Sequence, residues 1–201
     1  MSSEQRTGRF SNVAGAVLTG GASARMGSDK AALAVGGVAS ATRVARCLAR
    51  LCEDVVLVGG DPPADAPGRR APDGDGPRSA LRGLVAALAA TSAERVLVVA
   101  TDLPFVTPDL LLALVAWPEA DAVVPRTADG VHPLCALYRR ESALAVARRH
   151  LAEQRLALSA LLDALATRYL EGDDLRAVDP DGTALINVNT PEDLARAERF
   201  L

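Results

Sequence analysis

Several chemically distinctive residue types are scarce in this sequence, and each scarcity excludes a class of protein. Aromatic residues make up 3% of the chain, which is too few for the stacking platforms that bind single-stranded nucleic acid. The net charge is -3, whereas nucleic-acid-binding domains usually carry a basic excess. No apolar run approaches the roughly 20 residues that a membrane-spanning helix needs. We therefore expect a small-molecule partner, with no nucleic acid and no membrane.

Cysteine, histidine and lysine are also rare. The three cysteines form no Cys-x-x-Cys pair, so we expect buried apolar thiols and neither a disulfide framework nor a zinc site. Two histidines far apart in sequence do not indicate a metal site. The chemistry is therefore expected to be electrostatic rather than covalent. Among 22 basic residues, Lys30 is the one lysine, and a compact ammonium differs from a guanidinium where a site is confined.

The hydrophobic pattern predicts an alternating α/β fold. Strands are expected over residues 13–19, 54–58, 95–100, 121–125, 132–138 and 185–188, with a short one near 70–72. Helices are expected over residues 39–51, 79–90, 108–115, 141–151 and 158–166, and from 191 to about 201 after a capping box at Thr190 and Asp193. This order predicts a three-layer αβα arrangement around a mostly parallel, Rossmann-like sheet, with ligands bound beyond the carboxyl ends of its strands.

The domain organisation follows from the same pattern. Residues 1–12 are polar and lack the apolar core of a secretory signal. We expect them to form a flexible N-terminal tail, and we expect residues 13–201 to form a single domain. The same observations predict a cytoplasmic location.

A glycine-rich loop follows the first predicted strand. It reads Gly20-Gly21-Ala22-Ser23-Ala24-Arg25-Met26-Gly27-Ser28-Asp29-Lys30. Its glycines let the backbone turn N–H groups toward an anion, and Arg25 and Lys30 add positive charge. The loop therefore resembles a phosphate cradle, although it matches neither the dinucleotide fingerprint nor a P-loop. A strand-to-helix connection with incidental charge is an alternative that remains open.

Carboxylates and amides are predicted at the same edge of the sheet. Asp102 directly follows the third buried strand and offers the hard oxygen ligand that Mg²⁺ prefers beside phosphates; a helix cap is the alternative. Asp73 lies in an Asp/Gly turn and can accept from ribose hydroxyls or the N–H edge of guanine, unless the turn is simply solvated. Asn187 and Asn189 are expected on one face of a strand, where they can hold a heterocycle or support the next helix.

Four motifs together resemble those of the molybdenum cofactor guanylyltransferases. They are Leu18-Thr19-Gly20-Gly21-x-Ser23-x-Arg25-Met26-Gly27-x-Asp29-Lys30, Thr101-Asp102-Leu103-Pro104-Phe105, His132-Pro133-Leu134-x-Ala136-Leu137-Tyr138 and Asn187-Val188-Asn189-Thr190-Pro191-Glu192-Asp193-Leu194. The resemblance spans residues 13 to 198. The first motif is shared with molybdopterin cytidylyltransferases and sugar-phosphate nucleotidyltransferases, whereas the double glycine, the His-Pro block and above all the Asn-Val-Asn-Thr-Pro-Glu ending are typical of the guanylyl branch.

The resemblance implies a fold of the nucleotide-diphospho-sugar transferase type and a reaction. GMP would pass from GTP to molybdenum-molybdopterin, with Mg²⁺ as cofactor and pyrophosphate as product. By matching positions, the implied nucleotide-binding residues are Leu18, Thr19, Gly20, Gly21, Lys30, Asp73 and Asp102, the catalytic ones Arg25, Lys30 and Asp102, the metal ligand Asp102 and the pterin-binding ones Asn187 and Asn189. Molybdenum-insertion proteins and apo-molybdoenzymes or their chaperones are implied as further partners.

The sequence departs from the family pattern near the base-binding region. Val58 stands where better-known members have Asn, and the family's Gly-Pro-Leu-x-Gly turn reads Gly76-Pro77-Arg78-Ser79-Ala80. Two other functions stay open at this point. One is a molybdopterin cytidylyltransferase that uses CTP, and the other is a catalytically silent protein that binds a nucleotide or delivers the cofactor.

Overall fold

The computed structural model of the chain describes residues 9–20 and 34–188, together with residues 190, 193 and 195. Its strands are β1 (Val13–Leu18), β2 (Ala34–Val35), β3 (Val38–Ala39), β4 (Val55–Val58), β5 (Arg69–Ala71), β6 (Arg95–Ala100), β7 (Ala122–Thr127), β8 (Gly130–Val131), β9 (Cys135–Arg139) and β10 (Thr167–Leu170). Its helices are α1 (Ser40–Ala49), α2 (Ala80–Ala89), α3 (Pro108–Val115), α4 (Arg140–Ala152), α5 (Leu158–Asp163) and α6 (Gly172–Val178).

The main sheet has the strand order β10-β7-β9-β6-β1-β4-β5, with β8 paired to β7. Strands β1, β4, β5 and β6 run parallel, and β10 runs parallel to β7. Strand β9 is antiparallel to both of its neighbours, β6 and β7, so β7 and β10 point the same way as β6. The expected mostly parallel sheet is confirmed, and the carboxyl ends of all these strands except β8 and β9 lie at one edge.

Apolar side chains cover both faces of the sheet. Along β1, Val17 belongs to one core cluster and Leu18 to the other, as the two-residue period of a strand requires. The first cluster includes leucines from α1, α3 and α6, among them Leu48, Leu110 and Leu175. The second includes leucines from α2, α4 and α5, among them Leu84, Leu144 and Leu161. The three-layer αβα architecture is therefore confirmed. Among the described helices, none combines the length and apolarity needed to cross a bilayer.

The strand expected over residues 185–188 is wrong. The backbone turns there, with Ile186 N–H donating to Thr183 O at 3.2 Å, and Val188 N–H donates to Asp102 O at 2.7 Å. That bond lies beyond the end of β6, so it ties the segment to the sheet without extending a ladder. Leu185 and Val188 are buried, and a short buried apolar run does not by itself distinguish a strand from a packed turn.

The outer strand next to β7 is β10, which was not predicted from the sequence. Residues Thr167–Leu170 pair with Ala122–Pro125 in parallel register. Their sequence, Thr-Arg-Tyr-Leu, contains strand-forming residues, but it follows directly on a helical pattern. The short strand expected near residues 70–72 is present as β5, and α6 and the β2–β3 hairpin were not predicted.

Helix α1 packs unusually close to β1 because β1 contains a glycine. A β-carbon at Gly15 would lie 2.9 Å from Cβ of Leu48, a separation too short for two carbon atoms. Leu48 is fully buried in α1. The missing side chain at position 15 thus sets the distance between this helix and the sheet.

We expect Gly15→Ala to lower the free energy of unfolding by about 1–3 kcal/mol, the usual cost of overpacking a core. The measurement is urea unfolding followed by circular dichroism. Gly83→Ala is the matched control, because the nearest atom to its new β-carbon is 3.7 Å away and alanine favours a helix by ~1 kcal/mol. Equal stability of the two variants would contradict the close approach.

Candidate functional site

The loops that follow β1, β4, β5 and β6 meet at the carboxyl edge of the sheet. Thr19 and Gly20 follow β1, Gly59 follows β4, Asp73 comes two residues after β5, and Asp102 two residues after β6. These strands are adjacent and parallel, so their ends lie side by side. In open α/β sheets this edge is where ligands bind.

The end of β1 is clamped to the end of β4. Thr19 donates from its backbone N–H to Val58 O at 2.9 Å and from Oγ1 to the same oxygen at 3.0 Å. Gly20 N–H donates to Val58 O at 3.2 Å, and Thr19 Oγ1 also contacts Gly59 O. The hydroxyl proton of Thr19 is therefore used to hold the two loops together. Val58 contributes only its carbonyl, because its side chain is buried.

Asp73 lies against backbone that only glycine leaves open. Gly59 and Gly60 have φ angles of +72° and +55°, which favour glycine. A β-carbon at Gly59 would lie 3.0 Å from Cβ of Asp73, and one at Gly20 would lie 3.4 Å from its Oδ2. A β-carbon at Gly60 would lie 2.6 Å from Thr19 O. The absence of a side chain at Gly59 lets Asp73 approach the turn after β4, and its absence at Gly60 lets that turn approach Thr19 at the end of β1.

Asp73 forms an ion pair with Arg82 of α2. Arg82 also donates from Nη1 to Gly76 O at 3.0 Å, and its backbone N–H donates to Ser79 Oγ, the cap of α2, at 3.1 Å. The side chains of Arg82 and Asp73 are 14% and 32% exposed, so Asp73 is not part of a freely solvated turn. Arg82 was not predicted as a site residue, although it is the one charged residue of α2 and that signal was present in the sequence.

Residues 185–188 lie beside Asp102, and the helix expected from 191 to about 201 lies mostly outside the described residues. Val188 is bonded to the carbonyl of Asp102, and Asn187, the preceding residue, is exposed. Thr190 N–H donates to Asp193 Oδ2 and Asp193 N–H to Thr190 Oγ1, both at 3.0 Å. This reciprocal pair confirms the expected capping box. The Asp102 motif and the start of the Asn187 motif are therefore brought together.

His132 is a further residue at this edge. Its Nε2 lies 3.2 Å from Thr127 Oγ1. Burial lowers the pKa of its imidazole, and the nearby carboxylates of Asp102 and Asp129 oppose this effect. The ring is therefore neutral near pH 7. The His-Pro motif was the available sequence signal, but no role was predicted for the side chain.

The other residues predicted for the site are a buried leucine and four positions outside the described part of the chain. Leu18 is 6% exposed and packs in the core, so its side chain is not open to a ligand. Gly21, Arg25, Lys30 and Asn189 lie outside the described residues. Their roles stay predictions.

The donor set at this edge fits a metal that arrives with a ligand. Within the described part of the chain, no group of three or more His, Cys, Asp or Glu side chains could hold a metal ion. Asp102 nevertheless supplies one hard carboxylate, and Mg²⁺ in nucleotide sites takes one or two carboxylates together with water and phosphate oxygens. The edge therefore suits a divalent ion shared with a phosphate ligand rather than a preformed metal cage.

Comparison with known proteins identifies the family. The model of the MobA-like NTP transferase domain matches residues 15–169. The chain belongs to this family. It is also 35% identical over 192 residues to the molybdenum cofactor guanylyltransferase of Desulfosudis oleivorans, a match covering 92% of this chain and 94% of that protein. The resemblance found in the motifs is thus confirmed, and this family member is a nucleotidyltransferase.

Solved structures agree with the fold. The molybdopterin-guanine dinucleotide biosynthesis protein A of Archaeoglobus fulgidus has a TM-score of 0.78 and 27% identity, with 93% of this chain and 97% of that chain covered. The 2-C-methyl-D-erythritol 4-phosphate cytidylyltransferase of Thermus thermophilus has a TM-score of 0.69 at 19% identity, with 92% and 97% covered. The second similarity concerns the fold alone. Membership of this family favours a divalent metal in the reaction.

The thiols supply no nucleophile at this edge. Cys47, Cys52 and Cys135 are buried and unpaired, as expected from the sequence. Burial raises the pKa of Cys47 to about 11 and that of Cys52 and Cys135 to about 12. The reactive thiolate is therefore scarce near neutral pH.

We expect native protein at pH 8 to react slowly with a chromogenic disulfide reagent, because all three thiols are buried and protonated. In guanidinium chloride the three cysteines should react at once, which provides the control for the stoichiometry. Fast labelling of any cysteine in the native protein would contradict the burial and the raised pKa of that thiol.

Proposed function

We propose that this protein transfers GMP from GTP to the terminal phosphate of molybdenum-bound molybdopterin, with Mg²⁺ and release of pyrophosphate. The observation that carries the proposal is the meeting of two carboxylates, both predicted as site residues, at one sheet edge. Asp73 lies against the β1 and β4 turns, and Asp102 lies beside the Asn187 segment. The first position suits a nucleoside, and the second suits the phosphates that join two substrates.

The nucleoside side of the edge favours guanine. Ionised Asp73 can only accept hydrogen bonds. Guanine offers adjacent N–H donors on its pairing edge, whereas cytosine offers one amino group beside two acceptors. A carboxylate facing cytosine acceptors would leave polar groups unpaired, and unpaired buried groups are what discriminates between ligands. This supports GTP over CTP.

The phosphate side needs electrostatic help more than a base. A phosphate monoester has a second pKa near ~6, so the attacking oxygen is already anionic at neutral pH. A neutral His132 and protonated thiols are compatible with such a reaction. The main barrier is repulsion between two anions. We assign to Arg25 and Lys30 the role of offsetting this repulsion by stabilising the charge on the departing pyrophosphate. Asp102 would hold the divalent ion, which when bound neutralises charge on phosphate oxygens.

The acceptor side of the proposal rests on the amides. Asn187 is exposed next to Asp102, and the motif adds Asn189. We assign both to the pterin. We also propose a cytoplasmic location and exchange of the cofactor with molybdenum-insertion proteins and with apo-molybdoenzymes or their chaperones, by the family resemblance.

We expect calorimetry with Mg²⁺ to detect binding of GTP and not of CTP, ATP or UTP. Asp102→Asn should weaken GTP binding by about tenfold or more and reduce its dependence on Mg²⁺, because the variant lacks the anionic ligand. Asp65→Asn is the matched control, since that carboxylate is 59% exposed and pairs with Arg46 at the surface. A preference for CTP would indicate a cytidylyltransferase, and absence of nucleotide binding would overturn the proposal.

We expect Lys30→Ala to lower turnover by roughly 10²-fold, the typical effect of removing one electrostatic donor. Lys30→Arg should restore turnover only in part, because the planar guanidinium differs in shape and hydration from an ammonium. Pyrophosphate release with GTP and molybdenum-molybdopterin measures both. Arg46→Gln, at an exposed surface pair, serves as the control, and wild-type turnover of Lys30→Ala would remove this lysine from the mechanism.

A further inference from the structure

We propose that Arg82 is a positioning residue that fixes Asp73 for contact with the nucleoside of the donor nucleotide. This inference rests on the proposed function, because it assumes that the nucleotide binds at the carboxyl edge of β1, β4 and β5. It adds a residue that the motifs did not contain. It also addresses how the base is held in a chain with Val58 and an altered turn at residues 76–80.

One guanidinium holds both ends of the Asp73 loop. Arg82 pairs through Nη2 with Asp73 Oδ2 and donates through Nη1 to Gly76 O at 3.0 Å. Between these points, Gly74 has a φ of +70° and Gly76 a φ of +105°. A loop with two glycines in the left-handed region has little stiffness of its own. Arg82 therefore restricts a segment that its own sequence leaves flexible.

The pairing leaves acceptor capacity on Asp73. An ionised carboxylate can accept about four hydrogen bonds, and among the described residues only Arg82 donates to it. The Asp73 side chain is still 32% exposed, although Gly20, Gly59 and Gly83 surround it closely. The remaining acceptor positions are thus available to N–H or O–H donors of a ligand at the edge.

The position of Arg82 is costly for a purely structural residue. It is the one charged side chain in α2, a helix that otherwise packs leucine and alanine on the sheet. Its Nε–H is buried and has no acceptor among the described residues. Buried donors are normally satisfied, and an exception calls for an explanation. The charge of Asp73 explains why an arginine stays here despite that donor: without Arg82, the unpaired carboxylate would repel a triphosphate that binds nearby.

The experiment measures dissociation constants by calorimetry for GTP, 2′-deoxy-GTP and inosine triphosphate. The deoxy nucleotide lacks a ribose hydroxyl, and inosine lacks the amino group of guanine, so the two analogues distinguish ribose contact from base contact. The variants are Arg82→Gln, Arg82→Lys and Asp73→Asn. Arg46→Gln is the matched control, because it removes an arginine–aspartate pair that is 55% and 59% exposed.

We expect Arg82→Gln to weaken GTP binding by about tenfold, the effect of one lost charge-assisted hydrogen bond. Binding of the analogue that lacks the donor group contacted by Asp73 should weaken much less. The affinity ratio between GTP and that analogue should therefore shrink. Asp73→Asn should shrink the same ratio, and the double variant should add little, because coupled residues are not additive. Arg82→Lys should recover only part of the wild-type affinity ratio, since a single ammonium does not replace the two donor nitrogens of the guanidinium.

Each other outcome has a definite meaning. If the wild type does not bind GTP, the proposed function fails. If the wild type binds and Arg82→Gln keeps the wild-type ratios, the positioning role is overturned. An equal loss for all three nucleotides together with a lower thermal midpoint also overturns it, since that is the result of a structural role. If Arg82→Gln does not fold, Arg82→Lys is judged by the same ratios.

Discussion

The register of β1 between its two neighbours determines where the residues of the candidate site lie. Leu18 is paired with Val58 of β4 on one side and with Ala100 of β6 on the other, and Val58 is paired in turn with Ala71 of β5. The strands therefore end level with one another, and each following loop starts at the same height. A slip of one residue would turn every β1 side chain to the opposite face, so the buried pattern of β1 also fixes the edge.

This edge of the sheet combines loops whose conformation requires glycine with a carboxylate whose charge is balanced by an arginine. Gly59 and Gly60 provide the close approach, and Arg82 balances the carboxylate of Asp73. A nucleotidyltransferase must bring two anionic substrates together, so an isolated carboxylate at the position that we propose for the nucleoside would act against binding. Pairing with Arg82 removes the repulsion between Asp73 and an anionic substrate but leaves the carboxylate able to accept hydrogen bonds. This is the physical basis for the role assigned to Arg82.

The sequence predicted what depends on local patterns and failed where a partner far along the chain decides. Buried β-branched runs located β1 and β6, an apolar helical face located α2, and an initial proline located α3, because each signal is contained within a few residues. The strand expected over 185–188 is absent and β10 was not predicted, since only pairing with β7 decides which segment joins the sheet. Arg82 was missed although it is the one charged residue of α2, because only the folded loop brings it to Asp73. The roles of Arg25, Lys30 and Asn189 stay predictions.

Strand β9 explains why a motif that precedes a strand lies near motifs that follow strands. Because β9 is antiparallel to β6 and β7, its amino end lies at the edge where theirs are carboxyl ends. Ala100 N–H donates to Leu134 O at 2.8 Å, and the Asp102 carboxylate acts on the pKa of His132. The rule that ligands bind beyond carboxyl ends therefore needs an extension in a mixed sheet. A reversed strand brings the residues that precede it to the same edge, and here they lie between the ends of β6 and β7.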